Sequence, residues 1–451
     1  MIKFETNSKL IKPGQVFVAI KGHTVDGHDY IEEAIQNGAE SLVVMHEVNS
    51  SVPYKIVDDT EKYLIEEIPK LYKEELNKLK IIGITGTNGK TTSAYLTYQM
   101  LLKLGKKASY LGTIGYFTNE KTVTLNNTTP DIVTLYKLLL DAINDGIEYF
   151  VMEVSSHSLS LKRIEGLKFE VCAFTNLTQD HLDFYKTLDN YLKAKLEILD
   201  YLDDDKYILL NSDDDSSKYF MNHKHKTFGF NGDYKIINYI SHPDKTEITF
   251  AYDNNTYNVT TNLTSKFNVY NYLTMLSILH SIGINIEDII ENTKDIYPPK
   301  GRCETYKVKN GYAVIDYAHT PDAVLKVITA YNELKKNRII TIVGCGGDRD
   351  PKKRPIMGNI ATDNSDFVIF TSDNPRTEDP LLILNDITKD NYSTNYIVIP
   401  DRKQAILKGI ELMESDDILL ILGKGHENYQ IIGHEKIHFD DSEIVKSVEN
   451  N

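Results

Sequence analysis

Positive charge, cysteine and long apolar runs are what this sequence has least of. Lys and Arg number 50 against 65 Asp and Glu, a formal charge of −15. A phosphate backbone or an acidic membrane surface is held by an excess of basic residues, so a general binder of either is excluded and any phosphate site has to be a local cluster. The three cysteines, Cys172, Cys303 and Cys345, are far apart, odd in number and without metal-ligand spacing. That argues against a disulfide framework and suits a reducing compartment. No stretch approaches the roughly 18 uninterrupted apolar residues of a membrane span, and the first residues form no apolar signal region, so a cytoplasmic protein is expected. No internal repeat or low-complexity tract stands out.

What is present suits several folded domains: 451 residues, 41% hydrophobic and 25% charged, exceed what one core usually organises. Residues 1–78 alternate short apolar runs (Val16 to Ile20, Ser41 to Val44) with a helical stretch from Tyr30 to Asn37 ended by Gly38, which predicts a small α/β unit. Glu61 to Lys80 reads as a connecting helix. Over 79–299 strand, turn and helix repeat, the pattern of a mainly parallel sheet flanked by helices. Strands are expected at Ile81 to Ile84, Tyr149 to Val154, Glu170 to Thr175 and Tyr207 to Asn211, and a helix through Leu135, Leu138, Leu139 and Ala142 is expected to start on Thr129 as cap with Pro130 in its first turn. Between about 224 and 262 the period becomes two. There Ile248 to Tyr252, Asp253-Asn254-Asn255 and Tyr257 to Thr260 read as a hairpin on the edge of the same domain. Tyr297-Pro298-Pro299-Lys300-Gly301 interrupts helix and sheet alike. Beyond it strands are expected at Tyr312 to Ile315, Ile339 to Val343, Phe367 to Phe370, Tyr396 to Ile399 and Ile418 to Leu422. The expected fold is α/β in three domains, the last of them, 300–451, Rossmann-like.

The first expected strand runs into Thr85-Gly86-Thr87-Asn88-Gly89-Lys90-Thr91-Thr92, followed by a helix carrying Leu96, Met100, Leu101 and Leu104 and stopping at Gly105. A glycine-rich turn between strand and helix surrounds phosphate oxygens with backbone N–H groups, the helix start adds a positive end, Lys90 adds charge and Thr91 can ligate Mg²⁺. This predicts a nucleoside triphosphate site. Ile84 stands where the usual P-loop has its first glycine, with Gly83 and Gly86 on either side, so the loop is a variant.

The string Gly86 to Thr92 resembles the ATP loop of the Mur ligases, which join amino acids to UDP-N-acetylmuramoyl precursors. Further strings resembling that family follow in order: Asn127-Thr128-Thr129-Pro130, Met152 to His157, Thr175 to Asp183, Gly301-Arg302-Cys303-Glu304, Asp316 to Pro321, Gly346 to Asp350, Asp373-Asn374-Pro375-Arg376 and Gly423 to Glu427. The resemblance implies that ATP phosphorylates the D-glutamyl carboxylate of the precursor and that an incoming amine then displaces phosphate. It assigns Glu153 and Thr91 to one magnesium and His181 to a second, with Asp180 orienting the imidazole. Lys195, rather than its neighbour Lys193, aligns with a lysine carried as a carbamate, which needs a neutral amine and yields an anion. Asn268 and Asn271 fall on the adenine side, Arg302 and Asp316 on the α-phosphate and ribose. Asn127, Thr128, Thr129, Ser155 and Arg163 fall on the muramoyl-dipeptide and its pyrophosphate, with Leu161 where some members carry glutamine.

Arg376 in the Asp373 to Arg376 string is associated within the family with meso-diaminopimelate, and a planar guanidinium does grip a second carboxylate with paired hydrogen bonds. Arg349, Gly423 and Glu427 complete that resemblance, Arg349 for a carboxylate and Glu427 for the distal ammonium. Lanthionine offers the same groups and stays open, as do a lysine-adding ligase and a ligase resembling folylpolyglutamate synthetase. The N-terminal unit is shorter than the family usually shows. Asn7-Ser8-Lys9 replaces a common Asp-Ser-Arg, leaving Ser8, Gly14 and Asp26-Gly27-His28-Asp29 for uridine. The expected partners are ATP, UDP-N-acetylmuramoyl-L-alanyl-D-glutamate and meso-diaminopimelate, the expected cofactor is Mg²⁺, and a monomer is expected.

Overall fold

Short β-branched runs near the N-terminus pair as one parallel sheet in the computed structural model, which describes residues 2–22 and 25–449. The strand order is Phe4–Glu5, Val16–Val18, Ser41–Val44, Tyr54–Ile56. Alternation along the strands gives the sheet two apolar faces. Phe17, Leu42 and Val44 pack with Ile31 and Ala34 of the helix Ile31–Gln36. Phe4, Val16, Val18 and Val43 instead join Leu64 and Ile68 of the helix Thr60–Leu76 in the large core that runs under the next sheet. That helix starts on Asp59, whose carboxylate accepts the Lys62 N–H as a cap should.

The second sheet has six parallel strands in the order His225–Gly229, Leu202–Asn211, Phe169–Phe174, Lys80–Thr85, Tyr149–Glu153, Ala108–Gly112. Gly115–Phe117 and Thr122–Val123 extend it antiparallel. From Lys80–Thr85 the chain first visits strands on one side and then returns to Phe169–Phe174 on the other. Strand order therefore reverses at Lys80–Thr85, and the carboxyl ends of this strand and its neighbours open the crevice where ligands collect in such sheets.

One expected start is corrected. The helix Ile132–Asn144 is capped by Asp131, whose side chain accepts the Thr134 N–H, and not by Thr129 with Pro130 in the first turn. Thr129 is buried, and its hydroxyl is engaged by the Glu153 carbonyl at 2.9 Å, so it is unavailable as a cap.

The chain divides into two compact units, residues 1–234 with 273–289 and residues 235–272 with 290–451. In the second, Thr246–Tyr252 and Asn255–Thr261 form the expected hairpin, with Tyr252 paired to Asn255. Asp253 and Asn254 make the turn at φ 46° and 66°, a conformation that Asn and Asp tolerate better than most residues. The C-terminal sheet of the same unit has the order Glu304–Val308, Gly311–Asp316, Ile418–Leu422, Ile339–Val343, Phe367–Phe370, Tyr396–Val398, parallel but for the first pair. Val314, Val368 and Leu420 face one core while Ile315, Ile369 and Ile421 face another, so helices cover both sides of a doubly wound sheet. Among the described residues no helix is long and apolar enough to cross a membrane.

Candidate active site

The glycine-rich loop leaves the strand Lys80–Thr85 and enters the helix Lys90–Lys103 through Gly89, which sits at φ 86°. Its neighbour in the sheet holds its shape. Thr87 N–H donates to the Asn176 carbonyl at 2.8 Å, Asn88 N–H to Asn176 Oδ1 at 2.9 Å, and Thr175 Oγ1 to the Asn88 carbonyl at 2.6 Å. Lys90 Nζ donates to the carbonyls of Gly86 and Thr87 at 2.9 and 2.8 Å, so the ammonium lies on the loop. Thr91 and Thr92 are buried in the first helical turn.

Glu153 ends the adjacent strand, fully buried, and its carboxylate is held from every side. Oε1 accepts from Tyr110 Oη at 2.5 Å and Thr113 N–H at 2.9 Å; Oε2 accepts from Thr91 Oγ1 at 3.0 Å and Thr113 Oγ1 at 3.1 Å. The expected precursor residues sit around this strand end. Thr128 Oγ1 lies 3.0 Å from Thr113 Oγ1, Arg163 donates to the Thr129 carbonyl at 3.0 Å, and Ser155 caps the helix Ser156–Ser160 by accepting the Ser158 N–H. Asn127 and Leu161 are exposed.

Lys195, on the helix Leu188–Leu196, is 1% exposed and donates to the Gly86 carbonyl at 2.8 Å over the ring of Tyr191. Burial and the nearby Lys90 push its amine well below the usual lysine range, a shift toward the neutral form that carbamate chemistry needs. Lys193 is exposed and paired with Asp189 at 2.7 Å, as an ordinary surface lysine. His181 projects from a residue at φ 53° beside the ring of His157, centroids 4.9 Å apart. Asp180 Oδ1 accepts the His181 backbone N–H at 2.8 Å, and its Oδ2 lies 3.5 Å from the His181 Nε2.

Thr91 Oγ1 and Glu153 Oε2, 3.0 Å apart at the mouth of the loop, suit one Mg²⁺, a hard cation that takes few protein oxygens and fills its remaining positions with water and phosphate. Among the described residues no three His, Cys, Asp or Glu side chains converge into an all-protein metal cluster. In the N-terminal unit Ser8 is buried and gives its hydroxyl to Glu33, which leaves that hydroxyl turned inward. His28 bridges Asp26 and the Met45 N–H.

The second unit carries the remaining residues. Asn268 and Asn271 are buried in the helix Lys266–Ser281, with Asn271 Nδ2 donating to Asn268 Oδ1 at 2.8 Å. Arg302 stacks on Tyr317 at 4.8 Å. Asp316 receives the backbone N–H groups of Cys303 and Ala318 at 2.9 and 2.8 Å, and burial pushes its carboxyl up. Arg376 adopts φ 51° and donates to the Gly347 carbonyl at 2.8 Å. Arg349 is exposed. Glu427 Oε2 accepts from Asn374 Nδ2 at 2.9 Å and Lys424 Nζ at 3.0 Å. Gly423, at φ 112°, brings the backbone close to the carboxylate of Asp373, which is buried together with Pro375. Asn374 lies between the two charges: its carbonyl accepts from Arg376 Nη1 at 3.5 Å and its Nδ2 donates to Glu427 Oε2, so a cation and an anion share one locality at the ends of these strands.

Residues 4–84 match the Mur ligase family catalytic domain, 84–279 the Mur ligase middle domain and 301–425 the Mur ligase glutamate ligase domain. The UDP-N-acetylmuramoyl-L-alanyl-D-glutamate–2,6-diaminopimelate ligase of Fusobacterium nucleatum is 42% identical over 98% of this chain and 92% of that protein. The enzyme of the same name from Bacillus cereus is 40% identical over 98% and 92%. The chain belongs to the Mur ligase family. A solved diaminopimelate ligase of 29% identity superposes with TM-score 0.72 over 99% of this Mur ligase and 94% of that chain. A folylpolyglutamate synthase from Thermotoga maritima, 17% identical with TM-score 0.62 over 80% and 90%, shares the fold alone.

Three groups in this Mur ligase escaped sequence reasoning. Tyr110, on a strand, Ala108–Gly112, that the alternation pattern did not single out, and Thr113 just after it fix Glu153. The strand's signal was the Gly112-Thr113 pair after an apolar run, placed beside Glu153 only by the sheet order. Lys424 stood inside a recognised string, and its burial between two glycines was the missed clue.

Proposed function

We propose that the chain is an ATP-dependent, ADP-forming ligase that adds meso-diaminopimelate to UDP-N-acetylmuramoyl-L-alanyl-D-glutamate in peptidoglycan precursor synthesis. The D-glutamyl carboxylate attacks the γ-phosphorus of ATP, releasing ADP and leaving an acyl phosphate. An amine of the diamino acid then attacks that carbonyl, and the tetrahedral intermediate collapses with loss of phosphate and a proton. Both steps gather negative charge, which preorganised donors and cations stabilise without reorganising.

In this reading the loop from Gly86 to Thr92 cradles the phosphates, with Lys90 moving from the loop carbonyls onto them. Bound Mg²⁺, held by Thr91 and Glu153, with His181 and the carbamate of Lys195 at a second ion, would neutralise phosphate charge. Tyr110 and Thr113 keep Glu153 aimed at the loop. Thr128, Thr129, Ser155 and Arg163 hold the precursor, Asn268, Asn271, Arg302 and Asp316 the nucleoside and α-phosphate, and Arg349 and Asp373 to Arg376 the added amino acid. The division into domains 1–78, 79–299 and 300–451 is part of the same reading.

The observation that carries the choice of amino acid is Arg376 sharing a locality with Glu427, one on either side of Asn374. A second carboxylate answers the guanidinium, whereas lysine would bring an ammonium to it. Phosphate release from ATP with the UDP-dipeptide, compared across meso-diaminopimelate, lanthionine and L-lysine, tests this. Release is expected with the dicarboxylates and at least about 100-fold slower with lysine, the discrimination an unpaired buried charge of about 3 kcal/mol gives. Lysine as the preferred substrate would overturn the specificity.

A further inference from the structure

Lys424 has no role in the reading above, yet it is the most enclosed cation at the amino-acid end of the second unit, 0% exposed on a loop flanked by Gly423 at φ 112° and Gly425 at φ 52°. A desolvated ammonium persists only with partners. It has two, Glu427 Oε2 at 3.0 Å and Asn374 Oδ1 at 3.1 Å, and the ring of Tyr429 lies 5.4 Å away. Asn374 Nδ2 closes the triangle by donating to the same Glu427 oxygen at 2.9 Å.

The triangle has a defined orientation. Asn374 Oδ1 also accepts the Ile431 N–H at 3.0 Å, so the amide is fixed with its oxygen toward Lys424 and its nitrogen toward Glu427. Glu427 Oε2 therefore receives two donors, while among the described residues Oε1 has only the Tyr429 hydroxyl at 3.4 Å, too long for a good hydrogen bond. One oxygen of the carboxylate is engaged by the protein and the other is left for a ligand.

We propose that Lys424 is a positioning residue for amino-acid specificity: with Asn374 it locks one oxygen of Glu427 and presents the other to an ammonium group of the added amino acid. The proposal rests on the ligase reading but not on which diamino acid is used. Without Lys424 the Glu427 carboxylate keeps only the Asn374 donor on Oε2 and part of its order has to be restored on binding. The loss then falls on recognition of the amino acid and leaves the nucleotide untouched.

A double-mutant cycle in the full chain tests this, reading the KM for ATP and for whichever amino acid wild type uses. Lys424→Met is expected to raise the amino-acid KM about 10- to 100-fold, the loss of one charged hydrogen bond, with the ATP KM within about twofold. In a Glu427→Gln background the same change is expected to add less than about threefold, because Lys424 acts through Glu427. Equal effects on both constants, or the full factor persisting in Glu427→Gln, would overturn the proposal. Lys424→Gln, which keeps a donor at the site, takes the place of Lys424→Met if thermal melts show that variant unfolded. Wild type preferring lysine would remove the diaminopimelate reading and leave this cycle intact; wild type turning over no amino acid would remove both.

Discussion

Lys195 and Lys193 lie two positions apart on one helix and show how burial separates chemistry from surface. One ammonium is turned out to Asp189 in solvent, while the other is enclosed, and its proton is destabilised by lost hydration and by Lys90. A neutral amine beside a phosphate loop is the form that combines with carbon dioxide, which makes the modified side chain anionic. Lys195→Ala is expected to slow phosphate release by about 100-fold or more, the scale of removing one preorganised electrostatic group. Short carboxylates such as acetate are expected to restore part of the rate by standing in for the missing anion. Release rates with and without acetate check this; an unrescued variant of normal rate would remove the carbamate assignment.

At the scale of elements, the strand Ala108–Gly112 matters through the residue at its end. A Cβ on Gly112 would collide with the Glu153 carboxylate and the Tyr110 hydroxyl, both rigidly held, so glycine is required there by close approach. Gly112→Ala is expected to displace Glu153, lower stability by about 1–3 kcal/mol as overpacking does, and slow phosphate release more than 10-fold. Thermal melts and release rates together check it, since a full-rate variant would show that the position of Glu153 is not critical. The helix Ile132–Asn144 illustrates another limit of sequence reading. Thr129-Pro130 and Asp131 both fit a helix start, and only the engagement of Thr129 with the Glu153 carbonyl decided between them.

For the molecule as a whole, a net charge of −15 coexists with cationic groups gathered around His426, and its imidazole registers them. Burial, and then Arg302 and Lys300, lower its pKa from about 6.5 to about 4. Between those values the unfolded chain holds a proton that the folded one does not, so this histidine makes stability rise with pH across that window and fall on acidification. The difference between pH 7 and pH 5 amounts to about 2 kcal/mol. His426→Gln is expected to lose about that much less stability than wild type over the same interval, read from urea midpoints for the unit that carries it. Equal losses would mean that the imidazole is not held neutral.

The sequence by itself determined the α/β class, the strand that feeds the phosphate loop and most C-terminal strands, because runs such as Ile339–Val343, apolar but for Thr341, and Ile418–Leu422 have no other stable place than a sheet covered on both faces. It also determined the order of motifs that marks the family. Only the tertiary structure decided which groups meet. The reversal of strand order puts Ala108–Gly112 beside Tyr149–Glu153, carrying Tyr110 and Thr113 to a carboxylate about 40 residues away in sequence. Folding of the C-terminal sheet likewise brings Lys424 to Asn374 across 50 residues. Such pairings depend on sheet order and close packing, which are non-local, whereas periodicity and turn chemistry are written into neighbouring residues.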